Sequence, residues 1–220
     1  METSIGLKLH GSRVRLWLAF VAMLVILDSD FILTYRWSPG YHWPRSLLAC
    51  IGAFVMLGLC GWDFKSLGLV LKPAQGFRYW IKAGILIGIA VLGFSLLIFV
   101  LSRLIGHPIP LPKMNPNQAQ SFFFIACVQA PLIEEFLYRL VLCVPFVAMA
   151  GSWFTIIISG CVFAALHFVY GNPGPDNFIA GFFLCWAYLK SRSIIIPILF
   201  HSIGNAFVIA INLGFWRWTQ

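Results

Sequence analysis

Residues 130–142 read APLIEEFLYRLVL and place two adjacent glutamates, Glu134 and Glu135, beside Arg139 in a stretch that is otherwise apolar apart from one tyrosine. A charged side chain at the depth of a lipid bilayer costs roughly 2.5–3.5 kcal/mol on insertion scales. Three ionisable groups within six residues of such a stretch therefore indicate either a buried structural lock or a site of chemistry.

The composition of the chain indicates a membrane protein. Of its 220 residues, 60% are hydrophobic and 10% are charged, and the mean hydropathy is +0.89, whereas soluble domains carry about 25% charged residues. The net charge of +8 is scattered in short segments between apolar runs, which is typical of topology anchors and lipid-headgroup contacts rather than of nucleic-acid binding. We predict an all-α, polytopic integral membrane helical bundle that forms a single domain over residues 1–220.

Seven apolar segments are long enough, or nearly so, to cross about 30 Å of hydrocarbon as helices. They cover residues 16–35, 46–62, 79–104, 119–148, 152–170, 177–190 and 193–214. The fourth contains Pro131, which predicts a bend or a break at that point. The sequence therefore predicts about seven transmembrane helices joined by short connections.

The distribution of basic residues predicts a cytoplasmic N-terminus. With that orientation the cytoplasmic segments contain Lys8, Arg13, Arg15, Lys65, Lys72, Arg78, Lys82, Lys190 and Arg192, and the opposite side contains Arg36, Arg45, Arg103, Lys113 and Arg217. Cytoplasmic segments of membrane proteins carry the excess of Lys and Arg.

Three polar clusters interrupt the last helices, and each uses the i, i+4 spacing that stacks two side chains on one helical face. The clusters are Glu134-Glu135-x-x-x-Arg139, Phe163-x-x-x-His167 and His201-x-x-x-Asn205. Taken one at a time, each has an ordinary structural explanation: a buried ion pair, a packed aromatic ring, or an interhelical hydrogen bond. Their occurrence together in one small protein favours a catalytic site.

The spacing predicts different roles for the two glutamates. Glu135 and Arg139 can form an ion pair within the helix, while Glu134 lies about 100° around the helix and can face another neighbour. Glu134 is thus the candidate general base. His167 can share the activated water, and His201 with Asn205 can donate hydrogen bonds to a developing oxyanion.

The three motifs in this order, on separate apolar helices, resemble those of the CPBP family of intramembrane proteases, which includes CAAX prenyl proteases and bacteriocin-processing (Abi) proteins. Ala130-Pro131 before the acidic pair and residues 196–200 (IPILF) before His201 add to the resemblance, which covers about residues 118–213. One departure is Leu140, because many members have Gly directly after the arginine.

The resemblance implies a glutamate-dependent intramembrane endopeptidase that hydrolyses a peptide bond of a membrane-anchored protein or peptide. It implies that Glu134 and His167 activate water, that His201 and Asn205 stabilise the oxyanion, and that the Glu135–Arg139 pair supports the site. Phe163 belongs to the same motif as His167 and is expected to pack against it. The short loops favour a bacterial member in the inner (cytoplasmic) membrane.

Two alternatives use the same residues. One carboxylate and two histidines can form the first shell of a catalytic zinc, although Asn205 would then have no clear role, so we expect no cofactor. A non-enzymatic polytopic protein, such as an immunity or scaffold factor, could keep the polar bundle as a structural lock. A proton-coupled transporter is a third alternative, but the chain has no repeat symmetry of the kind that many transporters show.

Asp28 and Asp30 form a second acidic pair, near the predicted outer end of the first helix. Two residues apart on a helix, they point about 200° away from each other. We expect both at a water-exposed mouth or at the membrane interface, with a position for Asp28 in the wall of the site as the alternative.

Overall fold

The computed structural model describes residues 4–37, 42–107, 113–171 and 174–220, and this part of the chain is helical with no β-strand. Six long helical stretches follow one another, and we number them α1 to α6. They are α1 Arg13–Trp37, α2 His42–Leu59, α3 Phe77–Leu104, α4 Pro116–Val169, α5 Pro175–Ser191 and α6 Ile195–Trp218. A short helix at Leu7–His10 and a 3₁₀ turn at Phe64–Leu67 complete the described elements.

Helix α4 folds back on itself at Gly151, whose backbone angles (φ 79°, ψ 175°) are not helical. Arg139 Nη1 donates a hydrogen bond of 2.6 Å to Ser159 Oγ, although residues twenty apart in a straight helix would be about 30 Å apart. A positive φ of this size suits glycine, because other residues meet steric strain there. The part of α4 before Gly151 and the part after it are therefore packed side by side.

The predicted all-helical membrane architecture is confirmed, but the predicted number of spans is not. In the described part of the chain, four stretches are long and apolar enough to cross a membrane: Arg13–Tyr35, Phe77–Leu104, Pro116–Val169 and Ile195–Trp218. The fourth and fifth predicted helices both lie within α4, and their predicted boundary coincides with the reversal at Gly151. Helices α2 and α5 fall short of the length and composition required.

The centre of the bundle is the first part of α4, in which residues 137–144 are all buried. Glycines at the helix crossings let neighbouring helices approach each other closely. A Cβ atom at Gly52 of α2 would lie 2.6 Å from the Val141 side chain, and one at Gly160 would lie 2.6 Å from the Phe182 ring of α5. Small residues at such crossings are typical of helix packing in membranes.

Helix α3 contacts the rest of the bundle near its N-terminal end. Trp80 is buried there, with Trp186 of α5 and Phe200 of α6 against its ring at 5.5 and 6.1 Å between centroids. A Cβ atom at Gly84 would lie 2.8 Å from the Phe200 ring, whereas one at Gly88 or Gly93 would meet nothing within 4 Å. The remainder of α3 is largely exposed.

The basic segments gather at one end of the bundle. The Gly6 N–H donates to the Ser66 carbonyl, and the Tyr188 hydroxyl donates to the Leu67 carbonyl at 2.7 Å. The Ala74 N–H donates to the Ser191 carbonyl in the turn between α5 and α6. The N-terminus, the loop after α2 and the turn after α5 are thus at the same end, as the charge distribution predicted.

The expectation of a water-exposed position for Asp30 was wrong. Asp30 is 1% exposed and forms a bidentate ion pair with Arg45 of α2, with Nε to Oδ1 at 2.7 Å and Nη2 to Oδ2 at 3.1 Å. Asp28 is exposed, in agreement with the expected water-exposed or interfacial position. A buried carboxylate needs a paired cation, and the partner lies fifteen residues further along, on another helix.

We expect Arg45→Ala to lower the free energy of unfolding by about 3–5 kcal/mol, because it leaves the Asp30 carboxylate buried and unpaired. Unfolding in mixed micelles of mild detergent and dodecyl sulfate measures this change. Asp28→Asn, two residues away on the exposed face of the same helix, is the matched control and should change stability by less than about 0.5 kcal/mol. Equal losses for the two variants would contradict the assignment.

Candidate active site

The structure brings Glu134, His167 and His201 together from three helical segments. Glu134 Oε2 lies 3.9 Å from His167 Nε2 and 3.8 Å from His201 Nε2. Glu134 lies in the first part of α4, His167 in the second part, and His201 in α6. Their side chains are 13%, 15% and 9% exposed, so the cluster is largely buried.

The hydrogen bonds of the two imidazoles indicate which nitrogens carry hydrogen. His167 Nδ1 lies 2.9 Å from the Phe163 carbonyl, and His201 Nδ1 lies 2.9 Å from Glu135 Oε1. Both partners are acceptors, so each Nδ1 donates, and each Nε2 of a neutral ring presents its lone pair toward Glu134. Glu134 Oε2 itself is buried and accepts no hydrogen bond. Three acceptors therefore converge on one point, which suits a water molecule that donates its hydrogens.

Glu135 and Arg139 form the expected ion pair. Arg139 Nε donates to Glu135 Oε2 at 2.6 Å, and both side chains are fully buried. Arg139 also donates to Ser159, and Glu135 also accepts from His201. Each charge therefore has several hydrogen-bond partners, as buried charges require. Ser159 was not singled out from the sequence, although it lies one helical turn before Phe163 on the face that carries His167.

Phe163 packs against both histidines. Its ring stacks on His167 with a centroid distance of 4.2 Å and meets His201 edge to face at 5.8 Å. The Arg139 guanidinium lies 5.7 Å from the same ring centroid. Phe163 is 1% exposed, so it fixes the orientation of the imidazoles and does not itself take part in chemistry.

The helix continues through Pro131, so of the two expected outcomes, a bend or a break, the break does not occur. Residues Ala130–Glu135 are α-helical, and a π-helical segment lies on each side, at Ile125–Gln129 and at Phe136–Cys143. The wider turn before the proline makes room for its ring, which would clash with the preceding turn of an α-helix. π-helical insertions change the direction in which the following side chains point, and they are frequent at functional sites.

The π-helical turn explains the contact of Asn205. The Ala130 N–H donates to the Ile125 carbonyl, five residues back, instead of to the Ala126 carbonyl. The next residue, Pro131, has no N–H to continue this pattern. The Ala126 carbonyl is thus left without a helical donor, and Asn205 Nδ2 donates to it at 2.6 Å. Asn205 is anchored to α4 through one amide hydrogen and keeps the other.

The described residues contain no group of three or more His, Cys, Asp or Glu side chains that could hold a metal ion. Two ligands of a tetrahedral zinc are roughly 3.3–3.4 Å apart when each is bound at 2.0–2.1 Å. The distances of 3.8 and 3.9 Å from Glu134 to the histidines are longer. Two acceptors that share one water molecule at about 2.8 Å are roughly 4.6 Å apart, so the observed distances lie between the two arrangements.

We expect Asn205→Ala to reduce stability by about 1–3 kcal/mol, because it leaves the buried Ala126 carbonyl without a donor. Pro131→Ala restores a backbone N–H at that turn, so the cost of Asn205→Ala should be smaller in the Pro131→Ala background. The four proteins of this double-mutant cycle are compared by unfolding in mixed micelles. Additive changes, with no coupling between the two positions, would contradict this explanation of the contact.

Comparison with known proteins supports the interpretation of the motifs. Residues 116–207 match the family model described as type II CAAX prenyl endopeptidase, Rce1-like. No curated protein and no solved structure matches the chain. The matched segment begins at the first residue of α4 and contains all three motifs, and it confirms the family resemblance inferred from them.

Proposed function

We propose that this integral membrane protein, whose residues 116–207 have the sequence pattern of CAAX prenyl endopeptidases, is an intramembrane endopeptidase in which Glu134 activates a water molecule. The observation that carries the proposal is the position of Glu134 Oε2, buried and without a hydrogen-bond donor, between the Nε2 atoms of His167 and His201. The family match implies peptidase activity, and the geometry supports this mechanism for it.

In the proposed reaction, Glu134 accepts a proton from the water as the water oxygen attacks the scissile carbonyl carbon. His167 accepts the second hydrogen bond of the same water and holds it for attack. The electron pair of the carbonyl bond moves to oxygen, and the tetrahedral oxyanion takes hydrogen bonds from protein donors. Glu134 then passes its proton to the leaving nitrogen, the C–N bond breaks, and a carboxylic acid and an amine are released.

The proposed oxyanion donors are His201 and Asn205. His201 donates from Nε2 when both of its nitrogens carry hydrogen, and the resulting charge is offset by the Glu135 carboxylate against Nδ1. Asn205 offers the amide hydrogen that is not used on Ala126. Arg139 and Phe163 act as positioning residues, since one holds Glu135 and the other holds the imidazoles.

The proposed substrate is a protein or peptide that is itself held in the membrane. The polar cluster lies on helices long and apolar enough to cross a bilayer, so a peptide reaches it from within or beside the lipid. The clustering of the N-terminus and two basic loops at one end of the bundle supports a cytoplasmic location for that end. The short loops favour a bacterial inner (cytoplasmic) membrane as its location.

Glu134→Gln should lower kcat by about 10²–10⁴-fold while insertion and unfolding stay unchanged, because it removes the general base and keeps the shape of the side chain. Cleavage of membrane-anchored candidate substrates is followed by mass spectrometry of the new termini. Glu135→Gln is the matched comparison, and it should reduce both cleavage and stability because it disrupts the buried pair with Arg139. If the wild type and Glu134→Gln give identical termini, the protein does not cleave these substrates, and the non-enzymatic alternative is favoured.

Removal of metal tests the mechanism separately. We expect extensive dialysis against EDTA to leave the rate of cleavage unchanged, because the proposed nucleophile is activated by Glu134 and the histidines alone. Metal analysis of the purified, active protein should find no stoichiometric zinc. Loss of activity on dialysis, with recovery on adding zinc, would instead establish the zinc-dependent alternative.

A further inference from the structure

Two unpaired polar atoms lie in one polar cluster. Among the described residues, the buried side-chain polar atoms without a hydrogen-bond partner are Trp80 Nε1, Glu134 Oε2 and the Tyr170 hydroxyl. Tyr170 is within electrostatic reach of Glu134, and also of Asp30 and Arg45. Buried hydroxyl groups are nearly always hydrogen-bonded in folded proteins. An unpaired hydroxyl three residues after His167, on the same side of the helix, therefore calls for a functional explanation.

The position of Tyr170 is fixed by the end of α4 and by α1. Tyr170 follows His167 by three residues, and its N–H still donates to the Leu166 carbonyl. Its ring lies against Phe31 of α1, with 6.4 Å between centroids. These contacts of its ring and backbone hold Tyr170 at the end of α4, three residues after His167, and neither uses the hydrogen of its hydroxyl.

The neighbouring carboxylate already has other donors. The two oxygens of Asp30 each accept a hydrogen bond from Arg45. The Thr34 hydroxyl, which donates its own hydrogen to the Asp30 carbonyl at 2.8 Å, interacts with Tyr170 through its oxygen, but the Tyr170 hydroxyl has no hydrogen bond of standard length. The Tyr170 hydroxyl can therefore turn its hydrogen from Thr34 to the oxygen of a ligand.

A further donor would add to the stabilisation of the oxyanion. A tetrahedral oxyanion is stabilised by preorganised hydrogen-bond donors that point to where the charge develops. Asn205 can supply one hydrogen, because the other is bonded to the Ala126 carbonyl. Nε2 of His201 can donate in the doubly protonated ring, and it faces Glu134. The donors proposed so far are each partly committed to other groups.

We propose that Tyr170 is a catalytic residue of the proposed peptidase, and that its hydroxyl donates a hydrogen bond to the scissile carbonyl oxygen as that oxygen becomes an oxyanion. The proton stays on Tyr170 throughout, while the proton of the attacking water passes through Glu134 to the leaving nitrogen. This inference rests on the proposed function. It adds a donor from the end of the segment that carries His167, next to the helix pair held by Asp30 and Arg45.

Tyr170→Phe removes the hydroxyl and keeps the ring that packs on Phe31. We expect kcat to fall by roughly 10²-fold, as for other single oxyanion donors, with little change in KM. Tyr35→Phe is the matched control, because Tyr35 also stacks on Phe31, at 5.8 Å, and its side chain is exposed. Wild-type kcat in Tyr170→Phe would overturn the proposal.

A second measurement separates catalysis from structure. A peptide with a phosphinate in place of the scissile amide carries the oxyanion charge, so Tyr170→Phe should weaken its binding by about the same factor as kcat/KM. Binding of the cleaved product peptide should be unchanged, whereas a structural defect would weaken both. If the wild type and Glu134→Gln yield the same termini, the proposed function itself fails. If only Glu134→Gln is inactive and Tyr170→Phe is normal, the Tyr170 proposal alone fails.

Discussion

The buried pair of Glu135 and Arg139 is the interaction on which the rest of the structure depends. It joins three segments, because Arg139 also reaches Ser159 beyond the reversal at Gly151 and Glu135 also reaches His201 on α6. A buried ion pair is costly unless its remaining donors and acceptors are satisfied. Satisfying them in this protein requires the two parts of α4 and helix α6 to lie side by side, and the same arrangement brings His167 and His201 to Glu134.

Much of this arrangement is predictable from the sequence, because it follows from local spacing. The i, i+4 relations within the three motifs predict the Glu135–Arg139 pair and the stacking of Phe163 on His167. Hydropathy and composition predict the helices, and the reversal falls at a glycine between two apolar segments. The assignment of different roles to Glu134 and Glu135 follows from the helical angle between them and stays a prediction until activity is measured.

The features that were missed depend on register and on distant partners. Pro131 is visible in the sequence, but the π-helical turns around it are set by packing. No side chain in the sequence indicates that the Ala126 carbonyl will lack a helical donor and accept from Asn205. Asp30 and Arg45 are each visible too, yet nothing local selects one for the other across two helices. Periodicity describes single helices well and says little about which helices meet.

The single anchor of α3 has a consequence for how the protein responds to its bilayer. A helix of 28 residues is about 42 Å long, which exceeds the roughly 30 Å of hydrocarbon in a typical membrane, a mismatch that tilting of the helix relieves. Because Trp80 and Gly84 hold it near one end, a change in membrane thickness is taken up by the angle of α3.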